Sequence, residues 1–186
     1  MRLFSERGFQ AVTIEEIADG ADISKPTFFN YFPAKEDVVL AWQDQFADAL
    51  AEAVLARAEG EGMIPAVEAA MLVALASTSS PEAFALDALI QTTPALAQRN
   101  QAKYIHLEAR LAEALAARTP DADPLEVRLL AMLSIGALRI GTETWRADGR
   151  FAPSELLSFS QTFLETFWEG VGRLARDRKG ETFGAR

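Results

Sequence analysis

The positions of the prolines most limit the folds open to this chain of 186 residues. Seven of the eight lie between helix-like segments or at their starts, where a helix tolerates proline because its first N–H groups need no partner. Between the prolines, apolar residues recur at helical spacing, and no strand-length segment alternates apolar with polar residues. The sequence therefore predicts an all-α fold of about nine helices. These are Met1–Arg7, Ile14–Gly20, Lys25–Phe32, Lys35–Ala58, Met63–Ser77, Pro81–Thr92, Pro94–Arg118, Pro124–Ala147 and Ser154–Arg178.

Helix lengths divide the chain into two parts. Three short predicted helices and the start of a long one occupy the first 45 residues, whereas the last two helices are long and strongly apolar. We therefore predict a small domain at 1–45, the head, and a larger helical domain at 46–186, the body. The first helix has only about two turns before Gly8, which is marginal for a helix, so we expect it to be truncated at its start.

Composition excludes several classes of protein. The chain has no Cys and one His, which excludes disulfides, thiol catalysis and Cys- or His-based metal clusters, and we expect neither cofactor nor metal. The net charge of −9 disfavours general binding of polyanions, so any nucleic-acid function must depend on a local site. The longest strongly apolar run is about ten residues, and a membrane span needs about 20, so we expect no membrane association.

Residues 8–35 carry the signals of two short helices joined by a tight turn. Thr13 and Glu16 have the spacing of a capping box, in which each satisfies a free backbone N–H group of the other. Ser24 is a second N-cap, placed directly after the turn residues 20–23. This arrangement indicates a helix-turn-helix.

The second of these short helices has an apolar and a polar face. Phe28 and Phe32 are four residues apart and are expected to face the core. The opposite face carries Lys25, Thr27, Asn30 and Tyr31. A cation, two hydrogen-bonding groups and a phenol can reach phosphates and base edges in a major groove. Any polar helix face has a similar composition, so this face alone leaves an ordinary solvated surface open as the alternative.

Three stretches of the head resemble the signature of the TetR family of repressors. They are Phe4-Ser5-Glu6-Arg7-Gly8-Phe9, Thr13-Ile14-Glu15-Glu16-Ile17-Ala18 and Ile23-Ser24-Lys25-Pro26-Thr27-Phe28-Phe29-Asn30-Tyr31-Phe32-Pro33-Ala34-Lys35-Glu36. The resemblance implies an all-helical homodimer whose heads bind double-stranded operator DNA. It also implies that the body contains a small-molecule pocket and the dimer interface, and that the ligand spreads the heads and releases the operator.

The resemblance implies roles for particular residues. Thr13 and Tyr31 match positions that contact phosphate, and Lys35 matches a lysine placed against the DNA backbone. Lys25, Pro26 and Thr27 match the start of the helix that meets base edges. The residues predicted to contact DNA are Thr13, Ser24, Lys25, Pro26, Thr27, Phe29, Asn30, Tyr31 and Lys35.

The head departs from the family pattern at two positions. Phe29 stands where Tyr is common, so a phenol contact to phosphate is lost. Asp22 stands where Gly is common; Asp tolerates the left-handed turn but adds a negative charge near DNA. With four basic and eight acidic residues, the first 45 residues have a net charge of −4. We therefore expect binding to depend on oriented contacts and helix N-termini rather than on bulk charge.

The middle helices carry large apolar residues that are candidates for the wall of an effector pocket. The residues predicted to bind the ligand are Met71, Leu75, Phe84, Leu89, Tyr104, Leu107, Arg110, Arg139 and Trp145. Apolar residues at this spacing also build ordinary cores, so core packing is the alternative for each of them. Arg139 has Glu143 four residues later, and we favour pairing between them over a ligand contact.

The last two predicted helices are apolar on nearly all sides, which indicates burial on two sides. The simplest second partner is the same helix pair of another subunit, with Gly136 and Gly141 allowing close approach. One large monomeric core is the alternative. The residues predicted to form the dimer interface are Leu129, Met132, Leu133, Leu164, Phe167, Trp168 and Val171.

These observations favour a ligand-responsive transcriptional regulator, expected to be a cytoplasmic repressor that is at the nucleoid when bound to DNA. Its effector is expected to be small and mainly apolar, with one polar or anionic group. Two alternatives are a helical adaptor that binds proteins through its last helices and an enzyme acting on an acyl-type substrate. The chain lacks a nucleophile elbow and a paired-carboxylate motif, so we expect that it is not an enzyme.

Overall fold

The computed structural model describes residues 2–41, 44–148 and 153–177. Those residues form ten α-helices and one 3-10 turn at Pro153–Glu155, with no strand among them, which confirms the predicted all-α fold. The helices are α1 Arg2–Arg7, α2 Ile14–Gly20, α3 Lys25–Tyr31, α4 Lys35–Ala41, α5 Asp44–Leu55, α6 Met63–Thr78, α7 Pro81–Thr92, α8 Pro94–Arg118, α9 Pro124–Asp148 and α10 Leu156–Asp177.

The predicted helix Lys35–Ala58 corresponds to α4 and α5, which are separated by residues 42 and 43, outside the described ranges. The second of the two ends at Leu55, three residues earlier than predicted. At this end the Arg57 N–H donates to the Val54 carbonyl, a tighter i→i−3 hydrogen bond than that of an α-helix. Gly60 then takes a left-handed φ of 84°, and the chain leaves the helix direction.

The main core lies in the body, where α5 packs against α6 and α8, and α8 packs against α9. Each of these helices contributes one apolar face, and α10 closes the cluster from the side of α6 and α9. Its largest buried members include Leu50, Val54, Val67, Met71, Leu111, Leu115, Ile135 and Leu164. Burying an apolar side chain of this size stabilises the fold by about 1.5–3 kcal/mol.

A second apolar cluster joins the head to the body, and we call it the junction cluster. From the head it contains Phe4, Phe9, Val12 and Val39. From α7 and α8 it contains Leu86, Ile90 and Leu96. The cluster crosses residue 45, where we placed the domain boundary, and that boundary stays a prediction. Helix α7 therefore packs directly against the head.

Within the described residues no single helix is both long enough and apolar enough to cross a membrane. By length and composition, α6 would meet that test only together with residues Ala83–Thr92 of α7, and the two are bent by 93°.

Candidate nucleic-acid interface and body cavities

The start of α2 is fixed by the predicted capping box. The Glu16 N–H donates to Thr13 Oγ1 at 3.2 Å, and the Thr13 N–H donates to Glu16 Oε2 at 2.9 Å. Arg7 of α1 adds an ion pair, with its Nη1 2.6 Å from Glu16 Oε1. The Thr13 N–H, followed by the Arg7 guanidinium, holds the pKa of Glu16 below its usual value. The cap therefore also ties α1 to α2.

The turn between α2 and α3 is built around Asp22. Its φ is +55°, so the left-handed conformation expected there is confirmed. The Ile23 N–H then donates back to the Ala18 carbonyl at 3.0 Å, which closes the turn. Ser24 caps α3 as predicted, because its hydroxyl accepts from the Thr27 N–H at 3.2 Å.

Packing on α3 directs its polar side outward. Phe28 is 1% exposed, and its ring lies 5.6 Å from that of Phe32, so these two residues anchor the helix. Tyr31 on the outer side is 72% exposed. Pro26, Phe29 and Asn30 are also exposed. Thr27 is half-buried, and its hydroxyl lies 2.8 Å from that of Ser24. The predicted contact surface is thus a real outer face, although its DNA contacts stay predictions.

Lys25 is exposed but already paired. Its ammonium forms an ion pair with Glu15 of α2, and this lysine is the main reason that the pKa of Glu15 is below its usual value. Glu15 was not among the predicted site residues, although its acidic side chain stands one residue after the start of α2 in the sequence. Any ligand of the Lys25 ammonium must therefore compete with this carboxylate.

Lys35 points into the head rather than straight out of it. Its Nζ donates to the Phe9 carbonyl at 2.8 Å and to the Val12 carbonyl at 2.9 Å, and lies 4.4 Å from the centre of the Phe9 ring. Two of its three protons are therefore used to fix the loop between α1 and α2. The predicted contact of Lys35 with DNA has at most the third proton available.

The larger cavity of the body, about 490 Å³, lies among α6, α7, α9 and α10. Four of the predicted ligand-binding residues line it: Met71, Leu75, Phe84 and Trp145. The rings of Trp145 and Phe159 are 5.2 Å apart, and those of Phe159 and Phe163 are 5.9 Å apart, so α9 and α10 supply a continuous aromatic wall.

A smaller cavity of about 190 Å³ adjoins the first on the side of α5 and α8. The predicted residues Tyr104 and Leu107 line it. The two cavities share Leu75, Thr78, Ala83, Asp87, Leu138 and Thr142. The same six side chains therefore form part of the lining of each cavity.

Three predicted ligand-binding residues lie outside both cavities, and for them the predicted position is wrong. Leu89 packs against the junction cluster because it lies on the head-facing side of α7. Arg110 lies on the outer side of α8, where it pairs with Asp48 at 3.1 Å and with Glu113 at 3.0 Å.

The third is Arg139, whose Nη1 is 3.0 Å from Glu143 Oε1. The favoured pairing between these two residues is therefore confirmed.

The cavities instead contain charged groups that the sequence analysis missed. Arg146 of α9 binds Asp87 of α7 through two hydrogen bonds, one of them 2.7 Å long from Nε to Oδ2. Lys103 of α8 lines the smaller cavity, where burial lowers its pKa to about 8. Burial also raises the pKa of its neighbour Tyr104. The available signal was Asp87 itself, a carboxylate between Leu86 and Ala88 in an otherwise apolar segment.

One face of α9 exposes a stripe of apolar side chains, which we call the α9 stripe. Its members are Leu125, Leu129, Met132 and Ile140. Leu129 is 44% exposed and Met132 is 47% exposed. Contiguous exposed apolar residues of this kind are typical of protein-interaction surfaces. Gly136 continues the stripe, and a Cβ atom added to it would meet nothing within 4 Å. Leu133 and, on α10, Val171 are half-buried.

The other residues predicted for the dimer interface, all on α10, pack toward the main core rather than outward. Leu164 is only 5% exposed and belongs to the main core, so its assignment to the interface is wrong. The reason is that α10 is amphipathic, with Leu164 on the side facing α6 and α9. Phe167 and Trp168 are half-buried against the same core. Gly141 is also internal, because an added Cβ atom would lie 3.1 Å from the Phe163 ring.

Comparison with known families gives two matches that together cover most of the chain. Residues 1–42 match the model described as bacterial regulatory proteins, tetR family. Residues 61–168, more than half of the chain, match the model described as the MftR C-terminal domain.

Individual relatives are similar over shorter stretches. The transcriptional regulator TcmR of Streptomyces glaucescens is 29% identical over 126 residues, which are 63% of this chain and 56% of TcmR. EthR of Mycolicibacterium smegmatis is 44% identical over 43 residues, 23% of this chain and 20% of EthR. This chain thus matches about half of one relative and a fifth of the other. A solved structure of PfmR from Thermus thermophilus covers 89% of this chain and 92% of PfmR, at 16% identity and a TM-score of 0.45.

Proposed function

The chain belongs to the TetR family of bacterial transcriptional regulators, and we propose that it is a dimeric repressor whose operator binding is relieved by a small-molecule effector. Members of this family are DNA-binding regulators with a helix-turn-helix and are not enzymes, so the enzymatic alternative is set aside. The proposal concerns what lies beyond family membership: the sign of regulation, the assembly and the ligand. We place the protein in the cytoplasm, at the nucleoid when it is bound to DNA.

The observation that carries the proposal is the position of α7 between the cavity and the head. Phe84 and Asp87 of α7 line the larger cavity, whereas Leu86 and Ile90 of the same helix are buried in the junction cluster. A ligand that shifts α7 therefore changes the support of α1 and α4. Release of DNA requires that the ligand binds the shifted state more tightly than the DNA-binding state, since equal binding changes nothing.

The proposed DNA contacts come from the outer face of α3 and the two helix starts. Lys25, Asn30 and Tyr31 are exposed there, while Thr13 and Ser24 place the N-termini of α2 and α3 where phosphates are favoured. Lys35 contributes by fixing the loop before α2 rather than mainly by direct contact.

The test of this surface is a mobility-shift titration with the DNA that flanks the chain's own gene. Lys25→Ala and Asn30→Ala should each weaken binding by about 1–3 kcal/mol, the usual contribution of a base contact, without loss of helicity. Tyr31→Ala, which removes a proposed phosphate contact, should also weaken binding and keep the helicity. Gln10→Ala, exposed in the loop before α2, is the matched control and should bind like the parent. Parent-like binding by all three α3 variants would overturn the assignment of α3.

The proposed dimer forms through the α9 stripe, related by a two-fold axis to its copy. Four exposed apolar residues on one helix face are a surface that a second copy can bury, and Gly136 between them permits close approach. At micromolar concentration the parent should sediment as a dimer. Leu129→Glu combined with Met132→Glu should sediment as a folded monomer, because four charges would face each other across the axis.

The matched control is Ile105→Glu, which places a charge at an exposed apolar residue of α8 and should remain dimeric. The same stripe is also what favours the second candidate, an adaptor that binds another protein. A parent that is monomeric at micromolar concentration would favour the adaptor over the dimer.

A further inference from the structure

The two cavities of the body differ in chemistry, although they share a wall. The larger one is lined by the rings of Phe84, Trp145, Phe159 and Phe163, and the smaller one contains the ammonium group of Lys103. Asp87 and Thr142 line both, so the two spaces lie next to each other at these side chains, and we call them together the joined cavity. An elongated molecule that passes between these side chains would place an apolar body in one space and a polar end in the other.

The charges at the meeting point are unequal. Arg146 and Asp87 neutralise each other through their paired hydrogen bonds. Lys103 forms no ion pair within the described part of the chain, and its Nζ rests 5.0 Å from the centre of the Tyr104 ring. The polar end of the joined cavity thus has one positive charge in excess.

We infer that the joined cavity binds an organic carboxylate with a ring-bearing apolar body, the carboxylate lying beside Lys103 and the body against the aromatic wall. This inference rests on the proposed effector function, and it replaces Arg110 and Arg139 with Lys103 as the cation of the site. A ligand carboxylate beside the Lys103 ammonium neutralises the excess positive charge of the site. A ligand amine would instead lie near two cations, Lys103 and Arg146, while the one nearby carboxylate, Asp87, is already paired with Arg146.

The protonation of Lys103 supplies a signature of this geometry. Burial lowers its pKa to about 8, with Asp87 of α7 acting against that shift and Arg146 of α9 adding to it. A bound carboxylate favours the charged amine and so raises this pKa. At a pH between the pKa of Lys103 in the free protein and its higher pKa in the complex, the complex holds more protons than the free protein. Binding therefore takes up protons at about pH 8.5. At about pH 6.5 the amine is charged in both states, and no uptake is expected.

The experiment uses naphthylacetate and its uncharged amide, naphthylacetamide, as matched probes of equal shape. Isothermal titration of the full chain at about pH 8.5, in two buffers of different ionisation enthalpy, gives both affinity and proton uptake. We expect the parent to bind the carboxylate at least about tenfold more tightly than the amide and to take up part of a proton only with the carboxylate.

Two variants locate the effect. Lys103→Met keeps most of the side-chain volume but removes the charge, and should bind both probes equally without proton uptake. Arg110→Met removes a cation outside both cavities and should behave like the parent. Thermal unfolding of the Lys103→Met variant, measured alone, separates loss of charge recognition from loss of fold.

Equal binding of the two probes by the parent, absence of binding by both, or unchanged preference in Lys103→Met would each overturn the inference. The proposed effector function is judged separately, by whether either probe releases operator DNA in the mobility-shift assay. If the amide releases DNA as well as the acid does, the effector function stands and the carboxylate assignment fails.

Discussion

The head and the body place their functional side chains by different means. In the head, exposed groups on short helices are oriented by local caps and ion pairs, such as the Thr13–Glu16 box and the pair of Lys25 with Glu15. In the body, the candidate ligand groups are partly buried and are oriented by helices distant in sequence, as with Asp87 and Arg146. We therefore expect the stability of the head to depend on its buried anchors and not on its outer face, whereas most substitutions around the body cavities should change the stability of the body.

The largest effect is expected where the body core is opened. Leu164→Ala should lower the free energy of unfolding by about 2–5 kcal/mol, because it leaves a space between α10 and the main core. Leu174→Ala, on the same helix but 72% exposed, should change it by less than about 0.5 kcal/mol. Thermal or urea unfolding measures both. Equal stability of the two variants would mean that α10 does not pack on the body as described.

An intermediate effect is expected where the head is anchored. Lys35→Met should lower the free energy of unfolding by about 1–3 kcal/mol, because the Phe9 and Val12 carbonyls lose their donor. Operator affinity should fall with it, since the loop before α2 is no longer fixed. Lys25→Met provides the contrast: it should weaken DNA binding while unfolding stays near that of the parent. If Lys35→Met weakens DNA binding but leaves stability unchanged, Lys35 acts mainly as a direct DNA contact.

The smallest effect is expected at the surface pair of the head. Glu15→Gln should strengthen binding to operator DNA by about two- to fivefold, because Lys25 no longer has to leave the Glu15 carboxylate before it contacts DNA. The pKa of Glu15 is lower in the folded protein than its usual value of 4.5. The ion pair with Lys25 therefore stabilises the folded state at pH values above 4.5, and this stabilisation is lost as the pH falls through the lowered pKa. Titration at two salt concentrations checks the affinity, and weaker binding by the variant would show that Glu15 orients Lys25 for DNA rather than competing for it.

Contacts between residues close together in the sequence could be predicted from it, whereas contacts between distant residues could not. The caps at Thr13 and Ser24 involve residues three apart, so the sequence alone identified them together with the turn at Asp22. The loop contacts of Lys35 span more than 20 residues, and their position could not be derived from local pattern.

The same limit applied to the body. Six of the nine predicted ligand-binding residues line a cavity, because large apolar residues at helical spacing do face the interior. Which interior they face depends on how helices pack, and this is why Leu89 and Leu164 were misplaced. The charged residues Asp87 and Arg146 are 59 apart in sequence, and no pattern linked them.

The two faces of α7 have a consequence for genetics. Substitutions at Phe84 or Gln91 alter the side of the helix that lines the cavity, so they should yield alleles that no longer respond to inducer while still silencing their promoter. Substitutions at Leu89 or Ile90, which line neither cavity, alter the side that supports the head, and should yield constitutive expression with or without inducer. A reporter screen of α7 should therefore show the two phenotypes alternating with the period of one helical turn.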